Sequence, residues 1–525
     1  MRAFEVLVVA FMVTECAKHF WPSAVRFGFL THLPRVLMAL LFVHAVFEGL
    51  RWQLFPVYGL AIAVFAINEA VRANIPIARV VTRGAISRAL TLSGAVVSLL
   101  VVAASVFFAR GFPVFSYPEP TGPEAVGYRV YTLIDHARPE TLSPKGGPRT
   151  FAIHIWYPAR PEAGAQPKPF MTKMEAKAAI KAKGYTLGDD KGRFGFIGDH
   201  MPLIDTNSYV NAPVARGGPY PVLVYNHGYM PGDTLDAQTL MEDLASHGYV
   251  VVSVSHPYES GVTYFEDRDL IFGDLAHTDQ VNAELFSIIN DTLITPPSTP
   301  KSQRIALQIE LEEGTPLFGE VIRRWSADTA FVLDEMERWV TAGDHPLSYL
   351  IDLEKIGIFG LSNGGAVATR FCAVDARCKA GINYDGFAFG AASRPPQAPF
   401  MMMYSDTPGN FEMNDFVFRE MKYDHYTVLI ENSRHADFTT VPFTAPILKG
   451  SPIVGTIGGA DMHMVTAAYT RAFFDDYLKG VPSPELRNVS RTLFPHARFW
   501  FAPGGGPLVD ERSVEMTKMG EADDE

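Results

Sequence analysis

From Ala89 to Ala109 the chain runs for 21 residues without a charge. At 1.5 Å per residue a helix over this run crosses a hydrocarbon core of about 30 Å. A helix that is apolar on every side belongs in a membrane or deep inside a large core. The run therefore predicts a transmembrane helix. Three shorter apolar runs precede it, Val6 to Thr14, Val36 to Phe47 and Trp52 to Asn68, bounded or interrupted by Glu5, Glu15, His44 and Glu48. Together they predict a membrane module of about four helices over residues 1–110. A cleaved signal peptide competes for the first run, but no small-residue cleavage site follows it. The carboxylates and His44 have two readings, a functional role or hydrogen bonds between helices.

Lysine and arginine placement sets the expected orientation. Lys18, Arg26 and Arg35 lie between the first two runs, and Arg72, Arg79, Arg83 and Arg88 between the last two, whereas the second connection holds only Arg51. Positively charged loops stay in the cytoplasm, so everything after Arg110 is expected on the far side of the membrane.

The formal net charge of -12 comes with no basic stripe, which argues against a nucleic-acid partner. The acidic end, 511–525, reads as a solvated tail. Three cysteines rule out a disulfide-rich scaffold. Cys372 and Cys378 match no common zinc spacing, and no metal site is expected. They stand either as two buried thiols or, in an oxidising compartment, as a small closed loop.

Residues 111–124 form a proline-rich linker, stiff and extended. Beyond it, "YRVYTLI" and "FAIHIWYP" have strand composition and suggest an antiparallel hairpin at a sheet edge. "PVLVYNHG", "YVVVSVSHP", "KIGIFGLS", "KAGINYDG", "PFMMMYSD" and "HYTVLIE" are short strand-like runs, with helical spacing over 234–247 and 318–341 between some of them. Runs that are apolar on both faces and joined by helices predict an α/β domain over 125–510, a mostly parallel sheet covered on both sides. The stretch 259–317 breaks this alternation and is read as a lid-like insertion, with a disordered surface excursion as the alternative.

"IFGLSNGGAVAT" supplies the chemistry. A strand that turns sharply into a helix admits only glycine at Gly360 and Gly364, and it pushes the Ser362 hydroxyl outward. Such a motif also occurs by chance in turns, so its surroundings decide. A serine nucleophile needs a base oriented by a carboxylate. His435, on a polar loop after the last parallel strand, suits the base, while His425 and His463 read as structural. The oxyanion is expected to meet the backbone N–H groups of Asn363 and of Tyr229, after Gly228; His227 reads as a residue that shapes the loop. For the acid, Asp385 and Asp406 each end a strand, and geometry from sequence does not separate them.

"PVLVYNHGY", "LASHGYVVVSVSHP", "IGIFGLSNGGAVAT", "AGINYDGFAFG" and "SRHADF", in this order, resemble the platelet-activating factor acetylhydrolase (plasma type, isoform II) branch of the α/β-hydrolase superfamily, including its bacterial lipase-like members. The resemblance covers roughly residues 125–480. It implies an α/β-hydrolase fold and a cofactor-free serine esterase that works through an acyl-enzyme, with Ser362 as nucleophile, His435 as base and Asp385, in "NYDGFAFG", as acid. Leu361 and Asn363 flank the serine where the family commonly has a histidine and an aromatic residue, so acyl-chain preference does not carry over. The expectation is a membrane-anchored ester hydrolase with an extracytoplasmic catalytic domain, acting on a lipid or short-acyl ester. An acyltransferase using the same acyl-enzyme and a silent binding protein on this scaffold are the alternatives.

Overall fold

The computed structural model describes residues 1–20, 28–73, 85–185, 191–267, 269–292, 300–391, 393–407, 421–483 and 495–504, together with 75, 189, 414, 486 and 509–510. The tail 511–525 and the loop arginines Arg26, Arg79 and Arg83 lie outside the described residues.

The N-terminal part folds into α1 (Ala3–Ala17), α2 (Leu33–Phe47), α3 (Phe55–Arg72) and α4 (Ala85–Gly111). Pro34 and Pro56 stand in the first turns of α2 and α3, where no intrahelical N–H is needed. Among the described residues, three segments are long and apolar enough to cross a membrane, Leu30–Phe47, Trp52–Arg72 and Arg88–Gly111. Helix α1 has only 15 residues and buries Glu5 and Glu15, so it falls short of the fourth span expected. Phe42, Phe47 and Leu100 are 71%, 74% and 65% exposed, an outward apolar surface of the kind lipid covers.

Among the described residues, eleven strands form one sheet, in the order β13-β12-β11-β10-β9-β8-β4-β5-β2-β1-β3. The central strands are β4 (Tyr220–Asn226), β5 (Val250–Val254), β8 (Ile351–Leu361), β9 (Cys378–Tyr384), β10 (Phe400–Ser405) and β11 (His425–Ile430). They pair in parallel. The expected hairpin is β1 (Ala125–Pro139) with β2 (Pro148–Ala159), antiparallel, with β3 (Ser208–Val210) beyond it. At the opposite edge lie β12 (Ala497–Ala502) and β13 (Val509–Asp510), which add antiparallel pairs. Burial on both faces explains the unbroken apolar runs: every residue of β5 and of β10 is buried.

Helices cover the two faces. On one side α5 (Lys173–Tyr185), α6 (Gln238–Ser246) and α11 (Gly459–Phe474) bring Ala179, Leu240 and Val465 into a core with Leu223, Phe359 and Met401. On the other, α9 (Pro316–Ala342) and α10 (Asn363–Val374) bring Val332 and Phe371 against Val224, Ile358 and Met402. This is the mixed, mostly parallel α/β architecture the sequence implied. Cys372 and Cys378 are joined by a disulfide.

The insertion has its own structure. A two-stranded hairpin, β6 (Val262–Tyr264) with β7 (Leu270–Phe272), leads into α7 (Leu275–Thr292) and α8 (Lys301–Gly314). Val281 of α7 packs with Phe318, Ile322 and Trp325 of α9 and with Val367 of α10.

Candidate active site

Ser362 links β8 directly to α10, with φ 56° and ψ -116°. A non-glycine residue rarely takes positive φ, and such strain persists only where the surroundings enforce it. Here the packing does so. A Cβ on Gly364 would lie 1.9 Å from the Asn226 carbonyl oxygen, and one on Gly360 would lie 2.3 Å from that of Gly364. The end of β8, the start of α10 and the end of β4 therefore touch backbone to backbone. Ser362 N–H donates to the Tyr384 carbonyl at 2.8 Å, tying the turn to the end of β9.

Asp385 follows that strand, with φ 52°. Its carboxylate is buried and well supplied with donors: Ser405 gives N–H to Oδ1 and its hydroxyl to Oδ2, each at 2.8 Å. His435 Nδ1 lies 2.7 Å from Oδ2. Burial pushes the Asp385 carboxyl up, but the bond and charge of His435 and the Ser405 donors outweigh it and leave it below its ordinary value. His435 is 48% exposed, yet the protein around its ring still disfavours the charged form. The bond to Asp385 and the carboxylate charge prevail and raise its pKa above 6.5. Asp406 faces elsewhere, accepting from Asn432 N–H at 3.0 Å. Between the two candidate acids, Asp385 is the one joined to His435.

The loop after β4 borders the serine. A Cβ on Gly228 would lie 3.7 Å from Ser362 Cβ. Among the described residues, neither the Tyr229 nor the Asn363 backbone N–H donates a hydrogen bond, so both remain open to an acceptor. His227 shapes this loop, its Nδ1 2.7 Å from the Gly228 carbonyl and its Nε2 2.9 Å from Ser260 Oγ. Burial pushes its pKa down to about 4, which keeps it neutral. His425 is buried in β11, its Nε2 3.1 Å from Thr427 Oγ1, and His463 lies in α11.

Several residues around the site gave no sequence signal. Ser405, which clamps Asp385, is simply the last residue of β10. Trp325 stacks on His256 at 3.8 Å and lies 6.2 Å from the Tyr229 ring. Its Nε1–H donates at 2.9 Å to the buried carboxylate of Glu259, which Arg324 and His277 also hold. The insertion touches the loops on both sides of Ser362. Gln308 Nε2 donates to the Ala388 carbonyl at 3.0 Å, and Gly390 N–H to Glu312 at 2.7 Å. Thr278 Oγ1 donates to Met230 Sδ at 3.4 Å.

Among the described residues, Glu5, His44 and Glu48 place ligand-type atoms within 4.8 Å of one another. Those atoms are engaged: Glu5 with Arg51 at 2.6 Å, and His44 with Tyr58 at 2.6 Å and Glu48 at 3.0 Å.

Residues 117–279 match the family model described as platelet-activating factor acetylhydrolase, isoform II, a match that ends before Ser362. A platelet-activating factor acetylhydrolase from Bos taurus is 26% identical over 293 residues, which cover 52% of this chain and 61% of the relative. A probable 1-alkyl-2-acetylglycerophosphocholine esterase from Arthroderma benhamiae is 24% identical over 289 residues, 53% of this chain and 60% of the relative. The chain thus spans about three-fifths of the length of these relatives. A ferulic acid esterase from Streptomyces cinnamoneus has a similar fold, with TM-score 0.56 and 24% identity, covering 74% of this chain and 99% of that one.

Proposed function

Because these matches support the platelet-activating factor acetylhydrolase-like family of α/β-hydrolases for this chain, we propose that it is a serine hydrolase of carboxylic esters, with Ser362, His435 and Asp385 as its triad. One observation carries the reading: Ser362 stands on a strained turn tied to the end of β9, Asp385 follows that strand and is joined to His435, and the N–H groups of Tyr229 and Asn363 at the turn carry no hydrogen bond among the described residues.

The chemistry follows from those positions. Ser362 Oγ attacks the ester carbonyl while His435 Nε2 takes the hydroxyl proton. Negative charge gathers on the carbonyl oxygen, where the N–H groups of Tyr229 and Asn363 stabilise it. His435 returns the proton to the departing alcohol, leaving an acyl group on Ser362. Water then attacks that acyl group with His435 again as base, and the carboxylic acid leaves. Asp385 holds the imidazole tautomer and stabilises its charged form.

The three apolar spans would anchor the enzyme as a multi-pass membrane protein, with the catalytic domain extracytoplasmic. The distribution of positive charge supports that side, and so does the Cys372–Cys378 disulfide, a bond that persists in oxidising compartments. A reporter fused after Gly111 tests it: activity confined to the cytoplasm would overturn the topology.

Purified chain should label with a fluorophosphonate probe and hydrolyse members of a panel graded in acyl length, including an acetylated glycerophospholipid and a feruloyl ester. Ser362→Ala should abolish labelling and lower turnover by roughly 10⁴-fold or more. Normal turnover in that variant would sink the proposal.

A further inference from the structure

We propose that residues 194–203 seat the catalytic domain on the bilayer at headgroup depth, so that the ester reaches Ser362 from the leaflet in which the chain's own helices stand. This rests on the ester-hydrolase reading and on the apolar helices crossing the membrane.

The ends of all three candidate spans come to this one segment. After α2, Gly49 faces Leu203, with a Cβ on the glycine falling 3.2 Å from Leu203 Cδ2. Trp52 opens the span Trp52–Arg72; it meets the Phe196 ring edge-on at 5.1 Å and donates Nε1–H to the Ile197 carbonyl at 3.2 Å. Just past α4, the Phe112 ring lies 6.4 Å from that of His200. A tryptophan at the end of a span, apolar in body and polar at one edge, sits at the level of the headgroups. Whatever packs on it shares that depth.

The exposed side chains there suit lipid better than water. Phe194 and Phe196 remain 48% and 45% exposed even with Phe196 against Trp52, and the aromatic surface left uncovered gains by entering the headgroup and acyl boundary. The occupant is the bilayer itself, because this patch continues the apolar surface of the spans.

The same face leads to the site. Gly198 packs so closely on α5 that a Cβ would lie 2.8 Å from the Ala176 carbonyl oxygen. From α5, Lys183 reaches Asp236 at 3.0 Å, in the loop that follows Tyr229. The Asp236 carbonyl accepts from Thr440 N–H at 2.6 Å, just past His435. Further along, Ile447 packs on Gly111 at the end of α4, and Ile453, 49% exposed, accepts from Ala436 N–H at 3.1 Å. The His435 side of the site and the ends of the spans thus share one face.

The test uses the full chain in phosphatidylcholine vesicles, with Phe194→Ser/Phe196→Ser beside the wild type. Two substrates are compared: a short-acyl glycerophospholipid embedded in the vesicles and water-soluble p-nitrophenyl acetate. The double variant should lose about tenfold or more in kcat/KM on the embedded ester, as expected when interfacial apolar contacts are removed, and less than about twofold on the soluble one. A nitroxide on Phe194→Cys should collide more with dissolved oxygen than with a water-soluble nickel chelate, and one on Tyr349→Cys, at a side chain 58% exposed just before β8 and so at the end of that strand away from Ser362, should do the reverse. Equal effects on both esters, or a residue 194 label as aqueous as the residue 349 label, would overturn the inference. A wild type inactive on both esters would instead overturn the hydrolase reading, and the substrate route with it.

Discussion

His435 Nδ1 lies 2.7 Å from Asp385 Oδ2, a contact between residues 50 positions apart, while Asp406, on the next strand, turns to the Asn432 amide. Asp385 and Asp406 end neighbouring parallel strands, so strand position alone gives each an equal claim. Ser405 breaks the tie. It donates N–H to Oδ1 of Asp385 and its hydroxyl to Oδ2, the oxygen that His435 also meets, which fixes the carboxylate in place. Asp385→Asn is therefore expected to lower turnover by roughly 10⁴-fold, as loss of a triad acid does, and Asp406→Asn by little. Steady-state turnover of the two variants on one soluble ester decides it.

The pH–rate profile carries a sign. A base must be neutral to accept the serine proton, and Asp385 raises the pKa of His435 above 6.5. Activity should fall as pH drops through that raised value. In Asp385→Asn the residual activity should have its acid limb at lower pH, because the carboxylate no longer favours the imidazolium. For stability the sign is opposite in pH. A raised histidine supports the fold below its ordinary value, and that support is lost as pH rises through the folded value. The ring is half-exposed, so this contribution is small beside the kinetic effect. kcat/KM measured across pH 5 to 9, a range of about four units around the ordinary histidine value, separates the limbs.

Gly364→Ala probes the close approach at the turn. The new Cβ would stand 1.9 Å from the Asn226 carbonyl and 2.6 Å from that of His227, both backbone atoms, so α10 and the loop carrying Tyr229 must part. Overpacking of this kind costs about 1–3 kcal/mol or more, and here it also moves both open N–H groups. A lower Tm and a loss of turnover are expected together. Gly195→Ala, with nothing within 4 Å of its Cβ, should leave Tm and turnover on a soluble ester unchanged.

What could be read from the chain followed from how local each constraint is. The turn at Ser362 was legible because its backbone contacts leave no room for a side chain at Gly360 and Gly364, which puts the requirement into the composition of the turn. The central strands were legible for a similar reason, since burial on both faces demands an unbroken apolar run. Strand position did not choose the acid, and only the family resemblance favoured Asp385, because the contacts that distinguish it, with Ser405 and His435, join residues 20 and 50 positions apart. Glu259 read as one charge among many in 259–317, although Trp325, 66 residues away, binds it inside the protein. β12, "ARFWFA", went unread because it lies outside the alternation of strand and helix. In the membrane module, apolarity marked four helices, but length separates α1 from the three that can span.

Buried charges brace the loop that carries Tyr229 from behind. Arg149, on β2, reaches Asp328 at 2.7 Å and Glu140 at 2.6 Å, and all three side chains are buried. His256 Nδ1 joins the same Asp328 at 2.9 Å, and its Nε2 lies 3.1 Å from Asn226 at the end of β4, directly before the loop that carries Tyr229. Burial pushes the Asp328 carboxyl up, but the Arg149 charge and the bonds from His256 and Arg149 hold it far below its ordinary value. Arg149→Met leaves Glu140 without this partner and Asp328 with Arg138 as its remaining guanidinium, at 2.9 Å. Removing one member of a buried charge cluster costs about 3–5 kcal/mol, so Tm should fall by several degrees. The sign with pH follows from the depressed carboxyl. Its stabilisation is present above the unfolded value and is lost as pH falls through the folded one. The Tm gap between wild type and variant should therefore persist from neutral to mildly acidic pH and narrow only below the ordinary carboxylate value. Turnover per folded molecule should fall as well, because His256 no longer has a firm anchor from which to hold Asn226. Thermal unfolding of both proteins across that range, with turnover on a soluble ester at neutral pH, checks both parts. A variant as stable and as active as the wild type would show that Arg149 is dispensable to the loop.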